Sequence, residues 1–501
     1  MREDWVEVEL GEVCFTTSGG TPSRQNKSYF EGDIPWVKSG ELDKGLILDS
    51  EEHISEEAIK NSSAKLFPKG TLLFALYGAT IGKMATLGIS AASNQAICGI
   101  YENDFLLSKY LYHYLSNKKR ELIGKGIGGA QPNISQTILK QLPISLAPLP
   151  EQRAIVAKIE TLFSDLDKGI ADLKTAQAQL KVYRQAVLKK AFEGELTKEW
   201  REQQTNLPTA EALLAQIKEE RQKHYEQQLE DWKNAVTAWE ENGKEGKKCS
   251  KPKKLIEISN LSEAELSKLD PLPNEWVYSY LSYAGELARG KSKHRPRNDF
   301  KLFENGKYPF IQTGDVKAQK IITEFNKKYS DFGLQQSKLW TKGTLCITIA
   351  ANIAETGFLG IDACFPDSIV GFTPFNVIIE DQFIEYFFQL AKNRIAAYAP
   401  ATAQKNINLT ILEKLVVPFC SKEEQHQIVQ EIESRLSVCD KVEQSITESL
   451  EKAKALRQSI LKKAFEGSLL STAEIEQCKQ APDYEPAAAL LAKIKAEKSK
   501  K

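Results

Sequence analysis

The chain has 501 residues, and its 67 Lys+Arg are balanced by 67 Asp+Glu, for a formal charge of zero. That length allows roughly two to four domains, and 42% apolar residues suffice for packed cores. Neutrality excludes a protein that coats nucleic acid or acidic membrane by bulk electrostatics, although local basic patches stay open.

Other classes fall on local features. Met1-Arg2-Glu3-Asp4-Trp5 has no apolar h-region, so no secretory signal is expected. The longest apolar run, near Leu72–Tyr77, is far below the ~18–20 residues of a membrane span. The eight cysteines form no C-x-x-C pair and have no clustered His partners. They are expected to be reduced, buried thiols in a cytoplasmic protein, not zinc ligands.

In chain order, residues 1–150 read as a mixed α/β globular unit, with a strand at Leu72–Tyr77 and a helix at Leu106–Leu115. Residues 151–199 carry a long helix, because Ile155, Ile159, Leu162, Leu166, Leu173, Leu180, Tyr183 and Val187 step by 3, 4 or 7. Residues 200–272 form a charged, largely helical connector with a lysine-rich break (Lys244, Lys247, Lys248, Lys251, Lys253, Lys254). That break reads as a solvated loop or as a phosphate contact. Residues 273–422 are a second globular unit, with strands at Leu345–Ala351 and Val377–Ile379 and a helix at Phe383–Ala391. In 423–470 a second heptad seam runs through Ile428, Ile432, Leu436, Cys439, Val442, Ile446, Leu450, Ala453, Leu456 and Ile460. Residues 471–501 repeat part of the connector. Each rod of about 60 Å needs a partner for its apolar stripe, and the other rod is the economical one. The expected fold is two tandem α/β (α+β) globular domains joined by long helices in an intramolecular coiled coil, antiparallel more readily than parallel.

Internal duplication underlies this layout. Glu151-Gln152, Ile155-Val156 and Ile159-Glu160 recur as Glu424-Gln425, Ile428-Val429 and Ile432-Glu433, an offset of 424 − 151 = 273. The same offset joins Leu188-Lys189-Lys190-Ala191-Phe192-Glu193-Gly194 to Leu461-Lys462-Lys463-Ala464-Phe465-Glu466-Gly467. Weaker matches pair Ile34–Leu42 with Tyr308–Val316, and Ala130–Ile134 with Ala403–Ile407.

Catalytic motifs are wanting. Gly285-Glu286-Leu287-Ala288-Arg289-Gly290-Lys291-Ser292 spells a P-loop, but Lys293-His294-Arg295-Pro296-Arg297 opposes the helix that a P-loop needs. No N-P-P-[YF], G-x-S-x-G or H-E-x-x-H run occurs, and Pro366-Asp367 has no E-x-K companion. A non-catalytic chain is expected, with no metal site and no cofactor of its own. What remains is paired polar loops. In the first unit they offer Ser18, Gly20, Thr21, Lys38, Ser39, Tyr77, Thr80, Lys83, Asn94, Gln95, Gln131 and Asn133. In the second they offer Lys291, Lys293, Arg295, Arg297, Gln312, Thr313, Asn352, Gln404, Lys405 and Asn406. Asn and Gln suit bidentate contact with adenine, and Lys or Arg suit guanine or phosphate. Singly each loop is an ordinary turn; at matched positions they favour a reading surface.

These residues resemble the DNA specificity (S) subunit of type I restriction–modification enzymes. The carriers are Gly20-Thr21-Pro22, Ile34-Pro35-Trp36 with Gly40, Thr80-Ile81-Gly82-Lys83, Asn94-Gln95, and Pro148-Leu149-Pro150-Glu151-Gln152. The repeated unit-plus-helix layout completes the match. The resemblance implies that each globular unit is a target recognition domain reading half of a bipartite double-stranded DNA site, with the helices setting the spacer. It implies two modification subunits that use S-adenosylmethionine to methylate adenine, and restriction subunits that use ATP and Mg2+. The second unit departs from the pattern, with Asn352-Ile353-Ala354-Glu355 for Thr80–Lys83 and Glu423 for Pro150. The competing expectation is a coiled-coil protein-interaction scaffold without sequence readout.

Overall fold

The computed structural model describes residues 2, 4–125, 133–244, 248–252, 261–317, 321–350, 352–397 and 407–498. The chain divides into two compact units, Met1–Ala176 with Ser445–Lys501, and Gln177–Gln444. Each unit therefore takes its residues from both repeats.

In the first unit Val6–Glu9 pairs antiparallel with Pro143–Leu146, closing the globular part just ahead of the long helix. A five-stranded sheet runs in the order Thr16–Ser18, Ile97–Ile100, Leu72–Ala75, Met84–Leu87, Leu46–Ile47. A four-stranded sheet runs His53–Ile54, Ile34–Val37, Ala91–Ser93, Leu66–Phe67, with a parallel central pair. Between the sheets Val37, Leu42, Ile47, Phe67, Leu73 and Ile97 form one buried cluster. The central strands Leu72–Ala75 and Ile97–Ile100 are buried on both faces, so their sequences are continuous apolar runs instead of alternations.

The second unit repeats this plan strand for strand. Its five-stranded sheet runs Gly285–Arg289, Ile369–Pro374, Leu345–Thr348, Thr356–Leu359, Ile321–Ile322. Its four-stranded sheet runs Lys327–Tyr329, Tyr308–Phe310, Ala363–Cys364, Leu339–Trp340. The helices Ser108–Gly124 and Asp381–Ala397 occupy matching places. The expected strand at Val377–Ile379 is instead a turn, in which the Ile378 and Ile379 amides both donate to the Phe375 carbonyl. Three apolar residues are too few to separate strand from helical turn by periodicity.

Two uninterrupted helices of 44 residues, Leu149–Phe192 and Lys422–Phe465, run along the repeat. They lie antiparallel. In the first unit Asp167 meets Arg457, and Ile155 and Ile159 share a core with Ile460, Leu461, Ala464 and Phe465. In the second unit Arg184 bridges Asp440 (2.6 Å) and Glu443 (3.1 Å), and Val187 and Leu188 share a core with Ile428, Ile432 and Leu436. The expected seam fails at three positions: Tyr183, Val442 and Leu456 are 46%, 41% and 50% exposed. Arginines replace apolar contact nearby, and the Arg457 guanidinium lies 4.4 Å from the Phe163 ring centroid.

The connector folds onto the second unit as the helix Ala210–Glu241, with Leu213 and Ile217 buried. Beyond it Lys248 and Lys251 stack over Trp239 and Trp232. Lys247, Lys253 and Lys254 lie outside the described residues. Among the described residues no disulfide joins any of the eight cysteines, and seven of them are buried. Among the described residues no helix is long and apolar enough to cross a membrane.

Candidate nucleic-acid interface

The five-stranded sheet gathers the candidate loops at one edge. Ser18 ends its strand opposite Cys98, while Ala75 ends its own opposite Ile97. The segments after Ser18 and Ala75, and those before Ile97 and Met84, therefore emerge side by side. The Ile134 amide donates to the Leu76 carbonyl, which brings Asn133 to the same edge. Parallel pairing of Val37 with Ser93 delivers the Lys38–Ser39 turn and Asn94-Gln95 there as well.

Close packing explains the glycines. A β-carbon on Gly19 would come within 2.2 Å of Ser93 Oγ, and one on Gly20 within 2.2 Å of the Ser63 carbonyl oxygen. Trp36 Nε1 donates to the Gly20 carbonyl (3.0 Å), and the Thr21 hydroxyl donates to Gln95 Oε1. Lys38 Nζ lies 3.0 Å from Glu52, whose carboxylate holds the ammonium above its ordinary pKa. Lys83 is paired with Asp43. Ser18, Ser39, Tyr77 and Thr80 are half-buried on this edge, while Gln95 and Asn133 are exposed. Gln131 lies outside the described residues.

In the second unit the same edge carries Lys291 and Lys293, both exposed and absent from every ion pair among the described residues. Arg295 donates to the carbonyls of Ser292 (2.6 Å) and His294 (2.9 Å). Arg297 is bound to Asp367 at 2.8 and 3.0 Å, and Arg289 donates to the Asp367 carbonyl. Asp367 is thus a brace for the basic loop. Gln312 and Asn352 are exposed and Thr313 half-buried, whereas Gln404, Lys405 and Asn406 lie outside the described residues. The P-loop spelling is a strand, Gly285–Arg289, and no helix starts at Lys291. Without a helix N-terminus the phosphate cradle does not form.

Two sets of residues escape motif reasoning. Glu41 is buried, and its carboxylate accepts the Lys38 amide (2.9 Å), the Ser50 hydroxyl (3.0 Å) and the Glu51 amide (3.2 Å). Asp315 accepts the Gln312 amide (2.8 Å) in the same way. An acid held at the same place in both repeats was the signal. The second set is Glu151-Gln152 and Glu424-Gln425, all buried at the start of the long helices. Glu151 accepts from Trp5 Nε1 and Arg2 (3.0 Å each). Glu424 accepts from Trp276 Nε1 (2.9 Å), Arg201 Nε (2.8 Å) and the Thr197 hydroxyl (2.8 Å). Gln152 joins Leu107, Phe105 and Ala147, as Gln425 joins Glu380, Ile378 and Cys420. Each helix is thereby tied rigidly to a loop-bearing globular part.

Two copies of a sheet edge rich in polar loops, each tied to a long helix, make this a protein of duplicated globular-plus-helix design. The family model described as the type I restriction modification DNA specificity domain matches residues 2–174 and 273–452, and the chain belongs to that family. It is similar to the type I restriction enzyme EcoDI specificity subunit of Escherichia coli, at 26% identity over 501 residues, covering 99% of this chain and 96% of that protein. It is also similar to the EcoBI specificity subunit of Escherichia coli, at 25% identity, covering 100% of this chain and 93% of that protein. In fold it is similar to the HsdS subunit from Thermoanaerobacter tengcongensis, with a TM-score of 0.56, 18% identity and coverage of 94% and 98% of the two chains. A chain from a type I R-M system gives a TM-score of 0.64, also at 18% identity, covering 94% and 99%.

Proposed function

We propose that this type I specificity subunit reads a bipartite DNA site, one half through each globular unit, and directs adenine methylation or cleavage by partner subunits. The observation that carries this is one sheet edge built twice on the same backbone but dressed with different side chains. A shared scaffold with divergent loops suits two half-sites of unlike sequence. The two uninterrupted 44-residue helices suit a fixed spacer between the half-sites. The chain itself is proposed to be non-catalytic. Two modification subunits using S-adenosylmethionine, and restriction subunits using ATP and Mg2+, would supply the chemistry.

Mapping methylated adenines in cells with and without this chain tests the proposal. The expected result is an asymmetric two-part motif, separated by an unread gap, whose methylation disappears with the chain. Methylation that is independent of the chain would favour the protein-interaction scaffold.

A further inference from the structure

Superposing the two repeats by their hydrogen bonds shows where each one places its positive charge. The Gly19 amide donates to the Ile97 carbonyl and the Gly20 amide to the Ser93 carbonyl; the Gly290 and Lys291 amides donate to Ile369 and Phe365 in the same pattern. Lys291 thus stands where the first unit has Gly20. The second correspondence is equally firm. The Ala75 amide donates to the Lys83 carbonyl and the Gly82 amide to the Ala75 carbonyl; Thr348, Glu355 and Ala354 repeat both bonds. Glu355 therefore stands where the first unit has Lys83, and Ala354 where it has Gly82. Both residues of the latter pair have positive φ, 73° and 60°.

Charge follows these exchanges. In the first unit the stem of Lys119, on the helix Ser108–Gly124, lies over Gly82, with Cε 3.1 Å from where a β-carbon would be. Lys118 and Lys125 are both paired with Glu121, but no ion pair among the described residues holds Lys119 or the exposed Arg120. In the second unit the matching Lys392 is paired with Glu355, and Asn393 replaces Arg120. The Gly-rich loop reverses the pattern. The cation of the first loop, Arg24, is paired with Glu52 (2.7 Å) and stacked on Phe30 (4.3 Å), whereas Lys291 and Lys293 are exposed and unpaired among the described residues.

We infer that the two units grip the phosphate backbone at different points of one shared scaffold. The first unit uses Lys119 beside the 77–83 turn, with Arg120 next to it on the helix; the second uses Lys291 and Lys293 on the loop that follows its edge strand. The inference rests on the DNA reading proposed above. A Lys or Arg outside any ion pair that neutralises a phosphate releases the counterions condensed on the DNA there, while a lysine already held by a carboxylate releases few.

The test is binding of the full-length chain to a random-sequence 40-base-pair duplex, titrated with salt. Log K falls with log salt, and each lost phosphate contact reduces the steepness of that fall by about 0.9. Lys119→Ala and Lys293→Ala are expected to lower it by about that amount each, and Lys392→Ala to leave it unchanged. Glu355→Gln, which frees Lys392, is expected to increase the steepness by about 0.9 and so guards against a merely misfolded loss. Equal slopes for Lys119→Ala and Lys392→Ala, or no response to Glu355→Gln, would overturn the inference while leaving DNA binding intact. A wild-type chain with no salt-dependent duplex binding would overturn the DNA reading itself, and the inference with it.

Discussion

Glu424 shows how much of the molecule depends on single buried polar groups. It is fully enclosed, and three donors converge on its carboxylate, one of them the charged Arg201. Glu424→Ala strands those donors and is expected to cost about 3–5 kcal/mol, read as a fall in urea midpoint. Glu423→Ala, one residue earlier and exposed, is expected to change stability by less than about 0.5 kcal/mol. His113 gives a pH-dependent counterpart. Burial holds its pKa down to about 4, and Nδ1 has no hydrogen-bond partner among the described residues. Between pH 6.5 and 4 the unfolded chain binds a proton that the folded chain refuses, so stability is full above pH 6.5 and falls as pH drops. The loss is on the order of 3 kcal/mol at about 1.4 kcal/mol per pH unit. The repeat places Tyr386 at the matching buried position, so His113→Tyr is expected to flatten this dependence. Identical acid losses in urea titrations at pH 7.5 and 4.5 would contradict it. Residue identity in the sequence flagged the Glu-Gln landmarks but not their burial, because a carboxylate on a charged helix reads as solvated until its partners, 146 and 148 residues away, are placed.

At the scale of elements, the long helices lie where the heptad seams placed them but stop at Phe192 and Phe465, short of the expected 199 and 470. Ala-Phe-Glu-Gly closes each long helix through a left-handed glycine, Gly194 at φ 75° and Gly467 at φ 80°. The Gly194 amide reaches Ala191 and the Glu195 amide reaches Lys190, with Gly467 and Ser468 repeating both bonds. At Gly194 a β-carbon would also meet Pro273 at 2.6 Å and Arg201 at 2.8 Å. Gly194→Ala is therefore expected to cost more than the roughly 1 kcal/mol of backbone strain alone, measured by thermal unfolding. The heptad pattern was less faithful. It located both helices, yet Tyr183, Val442 and Leu456 face solvent, because a two-helix seam encloses only part of each stripe and arginines fill the remainder. Under the ruler proposal, four residues inserted near Ala176 add about 6 Å of helix rise. The tolerated DNA spacer should lengthen accordingly in methylation mapping, and an unchanged spacer with retained activity would contradict the ruler.

For the whole molecule, duplication was the most telling feature of the sequence, and the structure repeats it as matched sheets, helices and caps. What duplication conceals is how the units are composed. Each is completed by the far half of the other repeat's helix and by the segment after it, so that Leu470, Leu490 and Ile494 near the chain's end share a core with Trp5 and Leu10. No linear spacing announces that exchange; it follows from antiparallel helix pairing. Zero net charge also acquires a local meaning, since carboxylates neutralise Lys38, Lys83, Arg297 and Lys392 but leave Lys119, Lys291 and Lys293 without ion pairs among the described residues. Two readers on one frame can be separated most directly by replacing residues 1–150 with the first domain of another specificity subunit and sequencing methylated adenines. One half-site is expected to change while the other half-site and the spacer stay as they were. A change in both half-sites, or in neither, would contradict this.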